Sequence, residues 1–236
     1  MKPRILLADD HLLVAEGIQR LLEPEAEIVG VFADGRALVK ALPETHPDLI
    51  IVDISLPLLN GLDAARQVKQ FDPSIKILVL TMHADQVFVV EAFRLGVTGY
   101  VLKQSLSGEL QHAVREVLKG NTYISPSIAQ GLVEYMNRPT RVGQGGNPGE
   151  NNETEKTGFD HSLSPRQREV LQLVAEGRST KEIASILNVS TKTIEFHRTR
   201  IMKELGLKTR PELTKYAISN GLITLQTFTP SESSSS

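Results

Sequence analysis

Three aspartates stand where chemistry is expected. Asp9 and Asp10 directly follow the apolar run RILLA, and Asp53 lies near the end of a second run, DLIIVDI. If both runs are strands of one parallel sheet, their carboxylates meet at one edge, where ligands of such sheets bind. Crowded carboxylates need a counter-ion, and their hard oxygens suit Mg²⁺, which keeps part of its water shell and bridges carboxylates to phosphate oxygens. Two further runs end in Thr81 (KILVLT) and in Tyr100 and Lys103 (TGYVLK), which brings a hydroxyl and an ammonium to the same edge. An acid cluster, a hydroxyl and a lysine are the parts of a phosphoryl-transfer site. Taken singly, each has a plainer reading: an aspartate after a strand caps a helix or makes a turn, and Tyr100 is a half-buried strand aromatic. The combination is what favours chemistry.

A second group of residues lies near the C-terminus. In TKTIEFHRTRIMKEL, helical periodicity puts Ile194, Ile201 and Leu205 on one face and leaves Lys192, Glu195, Arg198, Thr199 and Lys203 largely outward. TKEIASILN precedes it, separated only by Val189 and Ser190, which is the short turn of a helix-turn-helix. A solvated amphipathic helix is the plainer alternative. Charge supports the sharper reading. Residues 1–130 carry 12 basic and 16 acidic side chains, a net of −4, whereas residues 161–225 carry 11 and 6, a net of +5. A phosphate backbone attracts the second unit and repels the first.

These residues need elements to hold them. Five apolar runs alternate with five helical patterns from the N-terminus, and strands that are apolar throughout predict a five-stranded, doubly wound parallel sheet covered on both faces. This unit spans 1–122. Residues 123–160 read as a linker, with a short helix near 126–136 that starts after Ser125, and a flexible stretch at 138–160 rich in glycine, asparagine and charge. GQGGNPG within it has no strand before it or helix close behind it, so it is no phosphate loop. Residues 161–225 read as four short helices. Ser164 with Gln167 and Ser179 with Glu182 form capping boxes, and Gly177, Gly206 and Gly221 mark ends. Residues 226–236, ending in SESSSS, read as a disordered tail.

Composition narrows the options. With 236 residues, 40% of them hydrophobic, there is material for two cores. The absence of cysteine excludes disulfides, thiolate zinc sites and cysteine nucleophiles, and the six histidines show no paired metal-ligand spacing. No apolar run approaches the roughly 18 residues of a membrane span, and MKPRILLADD does not continue as a signal peptide. A soluble, cytoplasmic protein without membrane contact is expected.

LLADDH, IIVDISLPLLNGLD, VLTMH and GYVLK, in that order and spacing, resemble the receiver domain of two-component response regulators across roughly residues 3–122. The resemblance implies that Asp53 takes a phosphoryl group from a sensor histidine kinase. It implies that Asp10, Asp53 and the Ser55 backbone carbonyl hold Mg²⁺ with support from Asp9, and that Lys103 and Thr81 grip the phosphoryl oxygens. Thr81 and Tyr100 match the family's switch pair, in which the hydroxyl moves toward the phosphate and the ring turns inward behind it. Two residues depart from the pattern: Met82 replaces a small residue and Gln104 a proline. Ser55 and His83 occupy positions that tune phosphate lifetime in the family.

LSPRQREVLQLVAEGRSTKEIASILNVSTKTIEFHRTRIMKELG resembles the LuxR-type DNA-binding domain. By that resemblance, Glu195, Phe196, Thr199 and Arg200 face base edges of double-stranded DNA. Thr180, Lys181, Lys192, Thr193, His197, Arg198 and Lys203 meet phosphates, though His197 can equally pack at the helix edge. RPELTKYAISNGLI resembles the segment through which such domains pair as homodimers. Both domains together define the NarL/FixJ subfamily, whose members are transcription factors and not enzymes. Two other readings are set against this one: a Mg²⁺-dependent phosphatase or phosphotransferase, which lacks a second carboxylate two residues beyond Asp53, and a constitutive DNA binder.

Overall fold

Apolar runs that do not alternate are buried on both faces, and the computed structural model, which describes residues 1–82, 84–137 and 163–223, bears this out. The first unit runs β1 (Arg4–Ala8), α1 (Leu12–Leu22), β2 (Glu27–Phe32), α2 (Gly35–Thr45), β3 (Leu49–Asp53), α3 (Gly61–Phe71), β4 (Lys76–Thr81), α4 (Gln86–Arg94), β5 (Gly99–Leu102) and α5 (Leu106–Leu118). Then come β6 (Tyr123–Ile124) and α6 (Pro126–Asn137). The strands are parallel in the order β2-β1-β3-β4-β5-β6. Alternate side chains of each strand feed two cores. Leu6, Ile50, Val52, Ile77, Val79 and Tyr100 pack under α2, α3 and α4, while Ile5, Leu7, Leu49, Ile51, Leu78 and Leu80 pack under α1 and α5. Each such aliphatic side chain contributes about 1.5–3 kcal/mol when fully buried.

The sheet has six strands where the sequence predicts five. Two residues, Tyr123 and Ile124, pair with Gly99 and Tyr100, a length too short for any periodicity to announce. Ser125 then locks the junction: its amide donates to the Tyr100 carbonyl at 2.9 Å and its hydroxyl accepts from the Leu102 amide at 3.2 Å. Helix α6 follows and lays Ile128 into the core that also holds Phe88.

The second unit is helical: α7 (Pro165–Ala175), α8 (Thr180–Ile186), α9 (Thr191–Leu205) and α10 (Arg210–Ser219). Both expected capping boxes form, and a third, Thr209 with Glu212, opens α10. Gly177, Gly206 and Gly221 end their helices at φ of 86°, 67° and 62°. The turn between α8 and α9 is longer than expected, since α8 stops at Ile186 and Asn188 takes φ of 52°. The stretch 138–160, the tail 226–236 and His83 lie outside the described residues. Among the described residues, no helix is long and apolar enough to cross a membrane.

The loop after β3 closes on itself tightly. The Gly61 amide donates to the Ile54 carbonyl at 2.8 Å, and a Cβ at Gly61 would stand 2.0 Å from the Asp53 carbonyl oxygen. Only glycine permits that approach. Gly61→Ala is expected to lower unfolding stability by about 3 kcal/mol in urea titration, the upper range for overpacking. A loss below about 0.5 kcal/mol would show that the loop yields freely.

Candidate functional site: an acidic strand edge and an exposed recognition helix

Parallel register decides which side chains meet. Ala8 lies opposite Val52, so the residues that follow, Asp9 and Asp53, emerge side by side at the carboxyl edge. Lys103, in the turn after β5, reaches across to both: its Nζ lies 2.7 Å from an Asp9 carboxylate oxygen and 2.8 Å from one of Asp53. Asp9, Asp53 and Thr81 are all buried. The Ser55 amide hydrogen-bonds the Asp53 carboxylate. Asp10 lies at the rim, where His11 Nδ1 approaches it at 2.8 Å and Asp9 at 3.3 Å.

Burial pushes the Asp53 carboxyl above its ordinary 3.8, against the opposing pull of Lys103 and the Ser55 amide, and Asp9 adds to the rise. Burial also pulls Lys103 down, but the charges and hydrogen bonds of Asp53 and Asp9 outweigh it and hold the ammonium above its ordinary value. Lys103 is thus a cation committed to its two carboxylates. Tyr100 is wholly buried. Its hydroxyl is raised well above the ordinary range, by burial first and then by the charges of Asp85 and Asp53, against a hydrogen bond with Thr81. The pair expected to act as a switch is therefore in contact, with the aromatic ring turned inward. Met82 beside it is 71% exposed.

Donor atoms of Asp9, Asp10, His11 and Asp53 lie within 4.8 Å of one another. Three carboxylates against one lysine leave an excess of negative charge on hard oxygens, which fits a hard divalent cation. His11 is a donor beyond those the strand-end aspartates announce, and its place directly after Asp10 is the signal for it. An imidazole at the rim adds a donor without displacing the oxygens.

Helix α9 presents the second set. Ile194 and Ile201 are buried and Leu205 half-buried, as periodicity predicts. Lys192, Glu195, Thr199, Arg200 and Lys203 are exposed, and Phe196 is 62% exposed, an unusual state for so large an apolar side chain. Lys181 on α8 is exposed too, with Thr180 and Thr193 half-buried at the helix starts. Arg198 departs from the outward position expected of it: it is half-buried and its Nη1 donates to the Thr180 hydroxyl at 3.4 Å. His197 is half-buried against Phe196, the rings edge to face at 6.0 Å.

A flavodoxin-like parallel sheet with an acid cluster, lysine and hydroxyl at its carboxyl edge, followed by a four-helix unit with an open recognition helix, defines the class of DNA-binding response regulators. Comparison with known proteins agrees. Residues 5–115 match the response regulator receiver domain and residues 161–217 the LuxR family of bacterial regulatory proteins. The chain is 38% identical to the oxygen regulatory protein NreC of Staphylococcus carnosus, covering 93% of this chain and 99% of that protein. It is 34% identical to the transcriptional regulatory protein DegU of Brevibacillus brevis, covering 94% and 95%. Among solved structures, RcsB of Salmonella enterica serovar Typhimurium, bound to a promoter in the presence of phosphomimetic BeF3-, is 30% identical at a TM-score of 0.56, covering 92% of this chain and 98% of that one. The chain belongs to the NarL/FixJ subfamily of two-component response regulators, transcription factors with a receiver domain and a LuxR-type helix-turn-helix.

The raised Asp53 carboxyl has a consequence for pH. Because the folded protein holds that proton more tightly than the unfolded chain, ionising Asp53 costs stability as pH rises from 3.8 through the raised value. Carbon-detected NMR titration of metal-free protein is expected to place the Asp53 midpoint above 3.8, and Mg²⁺ to move it down. A metal-free midpoint at or below 3.8 would show that Lys103 outweighs burial.

Proposed function

We propose that Asp53 accepts a phosphoryl group from a sensor histidine kinase, and that the phosphate controls homodimerisation and sequence-specific DNA binding to regulate transcription. The observation that carries this reading is Lys103, held between Asp9 and Asp53 at a strand edge beside Thr81. An ionised Asp53 oxygen attacks phosphorus, the phosphorus–nitrogen bond of the donor's phosphohistidine breaks, and the imidazole leaves with that electron pair. A carboxylate nucleophile needs no general base. Lys103, freed from a carboxylate that has become an acyl phosphate, turns its charge to the phosphoryl oxygens, and the Thr81 hydroxyl donates to another. Asp10, Asp53 and the Ser55 carbonyl, with Asp9 in support, would hold Mg²⁺, which when bound neutralises charge on the transferring group.

The phosphate adds a charge of about −1.5 to −2, enough to bias a two-state surface. Thr81 and Tyr100 read that charge, and β5 carries the response to β6 and α6. On DNA, Glu195, Phe196, Thr199 and Arg200 meet base edges: a carboxylate accepts from cytosine, a guanidinium pairs with guanine and an apolar ring meets a thymine methyl. Thr180, Lys181, Lys192, Thr193 and Lys203 meet phosphates, with His197 and Arg198 supporting from half-buried positions. The protein acts in the cytoplasm, where its kinase and its DNA are both accessible.

Incubation with acetyl phosphate and Mg²⁺ is expected to label wild type and not Asp53→Asn, with dimer formation by sedimentation only in labelled protein. Unlabelled wild type would sink the reading. On a selected operator, Arg200→Ala is expected to lose about 1–3 kcal/mol and relax preference at one base position. Lys203→Ala should weaken all sequences alike and reduce the salt slope by about one. Equal losses on all sequences for both variants would remove the assignment of base and phosphate contacts.

A further inference from the structure

From Gln167 onward helix α7 is buried on every side. Its apolar residues Val170, Leu171 and Val174 build the helix-turn-helix core, while Arg168, Gln172 and Glu176, spaced as one stripe on the other face, are only 5%, 1% and 6% exposed. Such a stripe is normally solvated. Here it grips the loop that leads away from Asp53. Gln172 accepts from the Asn60 amide at 2.7 Å and donates to the Leu56 carbonyl at 2.9 Å. Glu176 accepts from the Leu58 amide at 2.9 Å, and Arg168 pairs with Asp63 at 3.1 Å. From the receiver side, Arg36 binds the Leu58 carbonyl at 3.2 Å and Glu169 at 2.8 Å. The Asn60 side chain donates to the Gly221 carbonyl at 3.0 Å, and Phe88 of α4 closes over Gly221 so that a Cβ there would lie 2.3 Å from its ring.

The gripped loop is strained. Leu58 adopts φ of 62°, a left-handed conformation rare for a side chain of its kind. That side chain packs against the core of the helix-turn-helix unit. Strain of this kind persists only where surroundings over-determine it, and here they come from both domains: Arg36 of the receiver holds the Leu58 carbonyl, while Glu176 and the helix-turn-helix core hold its amide and side chain. Meanwhile Glu195, Phe196, Thr199 and Arg200 remain exposed in the docked arrangement, so the contact covers none of the base-reading residues.

We infer that docking of the helix-turn-helix domain through Gln172, Glu176 and Arg168 is a clamp on the phosphorylation loop, so that the closed form restrains the acceptor chemistry at Asp53 and not the recognition helix. The inference rests on the proposed role of Asp53. The loop from Ile54 to Asn60 starts beside the acceptor and carries the Ser55 amide that binds its carboxylate. Holding the far end at Leu56, Leu58 and Asn60 limits how that near end adjusts to a phosphoryl group. Linkage then works in both directions: if undocking favours phosphorylation, phosphorylation favours undocking by the same factor.

The test uses the full chain and two variants that open the clamp from opposite sides, Gln172→Ala and Arg36→Gln, with Ser185→Ala on exposed α8 as control. Removing Gln172 leaves two buried backbone groups without partners, enough to shift docking toward the open form by about tenfold. Initial labelling by acetyl phosphate with Mg²⁺ is expected to rise several-fold in both clamp variants, with a larger radius of gyration by small-angle X-ray scattering before any phosphodonor is added. The control should match wild type in both. Unchanged or slower labelling in expanded variants overturns the clamp, and so does an unchanged radius in both. If wild type itself takes no label, the acceptor role of Asp53 fails first and the clamp with it.

Discussion

Parallel strands deliver their carboxyl ends to one edge, and in this chain three of the residues delivered there are aspartates. That crowding is the constraint on which the molecule is organised. Asp9 and Asp53 cannot both be buried and ionised without a cation, and Lys103 supplies one at 2.7 and 2.8 Å from their oxygens. One lysine does not balance Asp9, Asp10 and Asp53 together. The residual negative charge prepares the edge for a hard cation, and its partial neutralisation explains why burial still raises Asp53. A carboxylate kept in that state can exchange one compensating charge for another, which is what the proposed acceptor role of Asp53 asks of it.

From this edge a continuous set of contacts leads outward. Thr81 hydrogen-bonds the buried Tyr100 hydroxyl, and the Tyr100 carbonyl accepts from the Ser125 amide at the start of α6. The Ser125 hydroxyl donates to Glu109 at 2.5 Å, which ties the same point to α5. Ile128 of α6, Phe88 of α4 and Tyr100 share one core, and Phe88 also meets Gly221 beyond α10. Close-packed cores respond to a displaced side chain by repacking and not by gradual deformation. Thr81 and Tyr100, the helix α6 and the end of the helix-turn-helix domain are therefore joined by continuous contacts.

The helix-turn-helix domain divides its surface between two tasks. Its helices carry their own caps, and α9 ends at Gly206, so α9 is specified by local interactions. The α7 face meets the receiver while the α9 face stays open. Separation of the two faces is what allows the docked form to leave α9 uncovered.

Much of this was legible from residue types and spacing. Uniformly apolar strands reported a two-sided parallel sheet and strand-end aspartates its acidic edge, because parallel strands all present their carboxyl ends on one side; serine caps with terminal glycines reported the helices, because capping joins residues only a few positions apart. What the tertiary structure alone decided involves residues brought together across the chain. The β6 pairing is two residues long and exists only because Gly99 and Tyr100 present an open edge. Arg198 turns toward Thr180 because α8 lies beside it. The stripe Arg168, Gln172 and Glu176 carries every mark of a solvated helix face, and it is buried only because the receiver offers it the backbone groups of Leu56, Leu58 and Asn60. A polar residue's sequence states its capacity to hydrogen-bond; whether water or another domain satisfies that capacity depends on which surfaces the fold brings into contact.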